Sequence, residues 1–228
     1  MSETPSPHSE PVEAIEAIDR KLPIWGPELV VAVAIVIDVI LPSKLTVGPS
    51  WLLPTLEAVL LVGLILASPH PYVRHSPARR MVAIALIALV SATNAVSLGL
   101  LSHFLLRGGM ENGRTLIFSG ALLWLTNVLL FGLWYWELDS GGPMERMRKR
   151  HRHPDFLFVQ MSDPRWAPKD WHPGLVDYLY VSFTNATAFS PTDTMPLTVT
   201  AKWLMSAQAV TALVTVALVV SRAVNILS

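Results

Sequence analysis

The feature that most constrains this chain is a series of long apolar runs, each near the length that crosses a lipid bilayer. Of its 228 residues, 52% are hydrophobic and only 15% are charged. A transmembrane helix needs about 20 consecutive, mostly apolar residues. Because backbone in contact with lipid must satisfy its hydrogen bonds internally, the runs predict an all-α polytopic membrane protein. The five predicted spans cover about 24–41, 51–67, 80–104, 115–136 and 199–226.

Composition divides the chain into four regions. Residues 1–22 form an acidic, proline-rich tail that we expect to be disordered or, in part, an amphipathic helix. Residues 23–136 contain four spans, 137–173 form a basic and aromatic connection, and 174–228 contain a short helical segment and the last span. The tail lacks the basic start and apolar centre of a secretory signal. We therefore expect the protein to enter the inner (plasma) membrane through its first span.

Several function classes find no support in the sequence. The chain has no cysteine, which excludes disulfide frameworks and thiolate sites. Its formal net charge is zero, which argues against nucleic-acid binding. No sequence motif of a hydrolase or of a phosphate-binding loop occurs. We therefore expect no enzyme activity, no metal and no cofactor.

The basic residues predict an orientation. Twelve of the seventeen lysines and arginines fall in the N-terminal tail, in the loop 68–80 and in the connection 137–172. With five spans these three segments share one side of the membrane, and basic loops stay in the cytoplasm. The charge pattern thus places the connection inside and the end of the last span outside. Within the connection, the run Arg146–Arg152 is typical of contact with anionic lipid headgroups.

The segment before the last span predicts a helix too short to cross a bilayer. Apolar residues at helical spacing support a helix over about 175–187, namely Val176, Leu179, Phe183 and Ala186. Irregular backbone at membrane depth must be buried in protein or line water, so the polar residues that follow are candidates to line a pore. These candidates are Thr184, Thr187, Ser190, Thr192 and Asp193. The alternative is an interfacial helix and an ordinary turn, in which Asp193 or Thr194 caps the last span.

The same segment resembles the pore loop of two-span, potassium-type ion channels. It matches their common pattern at Tyr180, Ser182, Phe183, Thr187, Asp193, Pro196 and Thr198. The resemblance implies a re-entrant pore module, and conduction would require a ring of copies, most simply a tetramer. Ser190-Pro191-Thr192 stands where those channels have Gly-Tyr-Gly, so a cation-permeable pore would not be potassium-selective. The pore loop of such channels enters from outside, whereas the charge pattern here favours entry from the cytoplasm.

The rest of the chain adds charged residues inside the predicted spans. Asp38, Glu57 and Arg222 are costly in lipid and suggest an ion or proton pathway or a buried pair, and we expect Arg222 to pair with Asp38. The alternative for Glu57 is a position near the interface that reaches water. Asn94, Asn127 and Gln208 are typical of interhelical hydrogen bonding.

Three functions remain open at this stage. The leading interpretation is a membrane protein with an ion-channel-like pore module. The alternatives are a non-conducting structural or regulatory membrane subunit, and a small proton-coupled carrier that uses Asp38 and Glu57. As a whole the chain also resembles uncharacterised bacterial multi-pass membrane proteins, which implies no activity.

Overall fold

A computed structural model describes residues 26–46, 48–67, 76–107, 113–147, 153–163, 165, 167, 171–187 and 193–227. Eight α-helices lie in these residues: α1 (Gly26–Ile40), α2 (Leu52–Ala67), α3 (Pro77–Arg107), α4 (Gly113–Leu138), α5 (Pro143–Met147), α6 (Val159–Ser162), α7 (Leu175–Thr187) and α8 (Val199–Leu227). Two short strands, β1 (Phe156–Leu157) and β2 (Met195–Pro196), pair antiparallel. Short 3-10 turns occur at Ser43–Leu45 and Asp139–Gly141.

Three helices in the described part of the chain are long and apolar enough to cross a membrane. They cover Pro77–Leu105, Gly113–Gly141 and Val199–Arg222. The predicted helical fold is confirmed, and three of its helices have the length and composition of membrane spans. The two other predicted spans correspond to the described helices α1 and α2, which have 15 and 16 residues.

Helix α4 is the centre of the bundle. It packs against α1, α3, α7 and α8. In its most apolar stretch 56% of residues are buried, compared with 17% for α8, which lies at the outside. Gly132 allows α7 to approach closely, because a Cβ atom there would lie 2.6 Å from Leu179 Cδ2 and 3.2 Å from its Cα. The small residue therefore sets the distance between α4 and α7.

The starts of α1 and α3 and the end of α4 meet at one end of the bundle, which we call the Arg79 end. Arg79 at the start of α3 forms an ion pair of 2.5 Å with Glu28 near the start of α1. Arg80 donates from Nη2 to the Glu137 carbonyl at the end of α4, at 2.9 Å. The opposite end, which we call the Lys44 end, has a separate apolar cluster formed by Leu41, Leu45, Leu98, Leu101, Leu116 and Leu123.

Hydroxyl groups cap two of the long helices at the Arg79 end. Ser76 Oγ accepts from the Arg79 backbone N–H at 3.2 Å at the start of α3, where Pro77 suits the first helical position. Thr198 Oγ1 accepts from Ala201 N–H at 3.3 Å at the start of α8. The alternative cap at Asp193 or Thr194 is therefore wrong: both precede β2, whose two residues separate them from the helix.

Helix α7 matches the range that its apolar spacing predicts. It begins near Asp139 at the Arg79 end, since the Tyr178 hydroxyl donates to the Asp139 carboxylate. Further along α7, Ser182 Oγ donates to the Val128 carbonyl, ten residues back from the end of α4, at 2.6 Å. The helix thus runs towards the middle of the bundle, whereas β2 lies beside β1 at the Arg79 end.

Candidate functional site

Two acidic side chains are buried in the part of the bundle formed by α1, α2 and α3. Asp38 of α1 is 6% exposed and Glu57 of α2 is 0% exposed. Thr93 of α3 donates from Oγ1 to Glu57 Oε1 at 3.2 Å. Among the described residues, Glu57 Oε2 and Asp38 Oδ2 are buried and accept no hydrogen bond. Asp38 and Glu57 lie on α1 and α2, which pack directly against each other.

Further polar atoms at this level lie on α3 and α4. Asn94 Oδ1, Ser97 Oγ and Asn127 Oδ1 are buried and, within the described ranges, have no hydrogen-bond partner. The register of the two helices is set by Trp134 Nε1, which donates to Ser91 Oγ at 3.1 Å. Antiparallel packing from that contact places Asn94 and Asn127 about one helical turn apart in depth.

Buried polar groups in proteins are almost always hydrogen-bonded. The bundle interior therefore contains oxygen atoms that can accept a further hydrogen bond. They belong to the carboxylates of Asp38 and Glu57 and to the amides of Asn94 and Asn127. Oxygen atoms of these kinds bind protons, water or small hard cations. No group of three or more His, Cys, Asp and Glu side chains that could hold a metal ion occurs in the described residues.

Arg222 does not pair with Asp38 in the structure. Among the described residues its Nε is buried without a hydrogen bond. The reason is the packing order: α8 lies on α3, α4 and α7, and Val219, one turn before Arg222, lies against Gly120 of α4. Asp38 instead lies on α1, which packs with α2, α3 and α4. The expected ion pair between Arg222 and Asp38 is therefore not formed.

Of the five pore-lining candidates, the structure describes Thr184, Thr187 and Asp193. Thr184 Oγ1 and Thr187 Oγ1 donate to carbonyls of their own helix, at Tyr180 and Phe183, each at 2.9 Å. Asp193 is exposed just before β2. The remaining two candidates, Ser190 and Thr192, lie outside the described residues.

A buried amide network fixes the depth of α7. The Tyr135 hydroxyl donates to Gln208 Oε1 at 2.5 Å, and Asn185 Nδ2 donates to the same oxygen at 2.8 Å. Gln208 Nε2 donates to Ser182, both to its carbonyl at 2.9 Å and to its Oγ at 2.6 Å. Side chains from α4, α7 and α8 are thereby joined, with Tyr135, Ser182 and Gln208 fully buried and Asn185 partly buried. The predicted role of Gln208 in interhelical hydrogen bonding is confirmed.

A second network of hydrogen bonds, which the sequence did not predict, joins the connecting segments at the Arg79 end. Asp139 accepts from Asp155 N–H at 2.8 Å, and Asp155 accepts from Thr198 Oγ1 at 2.6 Å. Asp155 also accepts from the Ser140 N–H at 2.8 Å. The sequence signal was the turn-forming run after α4, Asp-Ser-Gly-Gly-Pro, which marks a built turn.

Arg146 belongs to this second network. Its Nη1 donates to the Trp136 and Asp139 carbonyls at 2.7 and 2.9 Å, and its guanidinium lies 4.9 Å from the centre of the Tyr178 ring. These internal contacts differ from the lipid contact expected of the run Arg146–Arg152. Residues 148–152 of that run lie outside the described residues.

Comparison with known proteins adds no relative on which to base a function: no protein-family model, curated protein or solved structure matches this chain.

Proposed function

We propose that the chain is a membrane protein of five transmembrane helices, α1, α2, α3, α4 and α8, in which α7 is re-entrant. The surfaces of the two short helices support this proposal. Val36 of α1 is 56% exposed and Val59 of α2 is 63% exposed, whereas Asp38 and Glu57 point inward. Apolar residues outside and acidic residues inside are the arrangement that a lipid surround favours.

The function that the geometry supports best is proton binding and transfer by Asp38 and Glu57, as in a small proton-coupled carrier. The observation that carries this proposal is a pair of carboxylates, each more than nine-tenths buried and each with an oxygen that accepts no hydrogen bond within the described residues. An ionised carboxylate at membrane depth is costly. Two neighbouring carboxylates cannot both ionise cheaply, so a shared proton lowers their free energy.

The neighbouring residues suit such a pair. Thr93 Oγ1 lies within hydrogen-bond distance of both Glu57 Oε1, at 3.2 Å, and the Leu89 carbonyl, at 3.1 Å, so it can give its one proton to either acceptor. The amide oxygens of Asn94 and Asn127 can accept a hydrogen bond from a protonated carboxyl or from water. Proton exchange between Asp38 and Glu57 would then run between two helices that pack directly against each other.

Proton flux into liposomes containing the purified protein tests this function. A pH-sensitive dye inside the vesicles and a potassium diffusion potential would report and drive proton entry. We expect flux with the wild type, and background flux with Asp38→Asn and with Glu57→Gln. Asp193→Asn is the matched control, since it neutralises an exposed acid outside the pair. Absence of flux in the wild type, or full flux in both variants, would contradict the proposal.

A channel-like pore module is the second candidate, and the course of α7 favours it. This helix begins at the Arg79 end, its Asn185 bonds to Gln208 in the interior, and β2 lies again at the Arg79 end. One such segment encloses no pore, so this function requires a ring of copies, most simply a tetramer. Native mass spectrometry of the detergent-solubilised protein separates the two candidates, because a strict monomer is compatible only with the carrier. If neither proton flux nor ion conduction occurs, the remaining interpretation is a non-conducting structural or regulatory subunit.

A further inference from the structure

Helices α3 and α4 approach each other at two points that lie on either side of a buried polar region. Near the Arg79 end, Trp134 Nε1 donates to Ser91 Oγ at 3.1 Å. Nearer the Lys44 end, a Cβ atom at Gly120 would lie 3.6 Å from Leu101 Cδ2. Asn127 is seven residues, or about two helical turns, from both Gly120 and Trp134. It therefore lies on the side of α4 that faces α3.

The part of α3 between those two contacts contains Asn94 and Ser97. Asn94 is three residues from Ser91 and seven from Leu101, which places it on the side of α3 that faces α4. Ser97 follows Asn94 by three residues, so the two side chains are neighbours on the helix surface. Since the two helices are antiparallel, Asn127 lies within about one helical turn of both in depth. We call these three residues the Asn127 cluster.

All three side chains of the Asn127 cluster are enclosed in the bundle. Asn94 is 7% exposed, Ser97 is 1% exposed and Asn127 is 2% exposed. The two amide oxygens and the hydroxyl oxygen have no hydrogen-bond partner within the described part of the chain, so none of them bonds to another. Buried polar groups in proteins almost always have a partner. The cluster therefore requires a small polar ligand that fits between the three side chains.

The hydroxyl of Ser97 differs from other hydroxyls of the same helix. In α3 the hydroxyls of Ser91, Thr93 and Ser102 each lie within hydrogen-bond distance of the carbonyl four residues back, at 2.7, 3.1 and 2.7 Å. Ser97 Oγ forms no such bond to the described backbone. Its hydroxyl is therefore available to a ligand between the helices.

The atoms of the Asn127 cluster suit water better than an ion. An amide has two donor hydrogens and an acceptor oxygen, and a hydroxyl both donates and accepts. A molecule that donates and accepts can bind to these groups in either orientation of the amides, whereas a cation binds only to their oxygen atoms. The three side chains also include no carboxylate to balance a buried positive charge. Buried water molecules typically make about three hydrogen bonds to such otherwise unpaired groups.

We propose that Asn94, Ser97 and Asn127 bind at least one ordered water molecule that bridges α3 and α4. The bridge supplies the interhelical hydrogen bonding that the sequence predicts for the two asparagines, through water instead of direct contact. The inference is independent of proton transfer by Asp38 and Glu57, since neither carboxylate belongs to the cluster.

A double-mutant cycle in mixed micelles tests the bridge through the equilibrium constant for unfolding of the full chain. Asn94→Leu and Asn127→Leu should each raise that constant about 5- to 30-fold, because each removes one partner of the water and leaves the other groups short of a bond. The constant of the double variant should be about fivefold or more below the product of the two single effects, since both changes remove the same bridge. Without a bridge, each leucine would replace an unpaired buried amide and would lower the constant or leave it unchanged.

Thr126→Val is the matched control for this cycle. Thr126 is 4% exposed and adjacent to Asn127, but its hydroxyl donates to the Leu122 carbonyl of its own helix at 3.1 Å. The effects of Asn94→Leu and Thr126→Val should therefore multiply. The proposal would be overturned if the effects of Asn94→Leu and Asn127→Leu multiplied in the same way, or if neither variant raised the constant.

A crystal structure of the wild type in a lipid phase keeps the test valid if a leucine variant does not fold. At about 2 Å resolution we expect a water molecule within about 3.2 Å of a polar atom of Asn127 and of Asn94 or Ser97. Direct hydrogen bonds between the two amides, or no density between them, would refute the bridge.

Unfolding of the wild type in sodium chloride and in choline chloride at equal ionic strength distinguishes water from a bound cation. We expect equal unfolding constants in the two salts, because a bridging water has no need of sodium. Stabilisation by sodium that is lost in Asn127→Leu would assign the cluster to a metal ion and would also overturn the proposal.

Discussion

Gln208 and Ser182 are joined through both the main chain and the side chain of the serine. Gln208 Nε2 lies 2.9 Å from the Ser182 carbonyl oxygen and 2.6 Å from its Oγ. The serine hydroxyl in turn donates to the Val128 carbonyl at 2.6 Å. These bonds tie α8, α7 and α4 together at one depth, and the buried amide of Gln208 supplies the link from α8.

Replacement of that amide should loosen the bundle. Gln208→Leu removes the bonds to Ser182, Tyr135 and Asn185 and leaves their polar atoms buried. We expect the free energy of unfolding in mixed micelles to fall by about 2 kcal/mol, several times the average interhelical bond in a membrane. Thr211→Val is the control, because the Thr211 hydroxyl bonds only to its own helix. Equal stability of Gln208→Leu and wild type would contradict this role.

The Tyr178 hydroxyl should stabilise the Arg79 end through Asp139. Tyr178→Phe removes the hydrogen bond to the buried carboxylate but keeps the ring on which Arg146 lies. We expect a loss of about 2 kcal/mol, the usual size of a hydrogen bond to a charged group. Tyr180→Phe, on the exposed face of the same helix, should unfold at the wild-type temperature in a thermal scan. If both variants melt together, the bond contributes nothing.

Gly132 should tolerate no side chain. In Gly132→Ala the new methyl group would collide with Leu179, and we expect a loss of about 1–3 kcal/mol from overpacking. Gly99→Ala in α3 is the matched control, since its Cβ would have no neighbour within 4 Å. Alanine is a better helix former than glycine, so Gly99→Ala should leave the free energy of unfolding unchanged or raise it by up to about 1 kcal/mol. A stable Gly132→Ala protein would mean that α7 packs elsewhere.

The cysteine-free sequence allows a clean test of orientation. The positive-inside pattern predicts that the Arg79 end faces the cytoplasm. In intact cells a membrane-impermeant thiol reagent should label Ser50→Cys, near the Lys44 end, and should label Asp193→Cys only after permeabilisation. The reverse pattern would place the start of α7 outside, which is the orientation that the channel resemblance implies.

Local patterns in the sequence predicted the helices but not their neighbours. The apolar spacing of Val176, Leu179 and Phe183 was enough to give the bounds of α7, because helix periodicity is a property of adjacent residues. The pairing of Arg222 with Asp38 failed because the order of helices around α4 depends on side-chain packing across the bundle. The separation of these residues along the chain contains no information about that order.

The candidate site was likewise predictable in its residues but not in their neighbours. Asp38 and Glu57 could be identified from the sequence, since an acid in an apolar run is exceptional. That they lie on two helices packed together, with Glu57 beside Thr93, required the fold. The network of Asp139 and Asp155 was missed because each lies in a connection, where an acidic residue is common and only the tertiary contacts distinguish it.

The most direct test of the central proposal is infrared spectroscopy of the carboxyl groups in the reconstituted protein at neutral pH. The account predicts the absorption of a protonated carboxyl in the wild type and in Asp193→Asn. It predicts loss of this absorption in the double variant Asp38→Asn/Glu57→Gln. The same protonated-carboxyl absorption in the double variant, or none in the wild type, would show that Asp38 and Glu57 hold no shared proton.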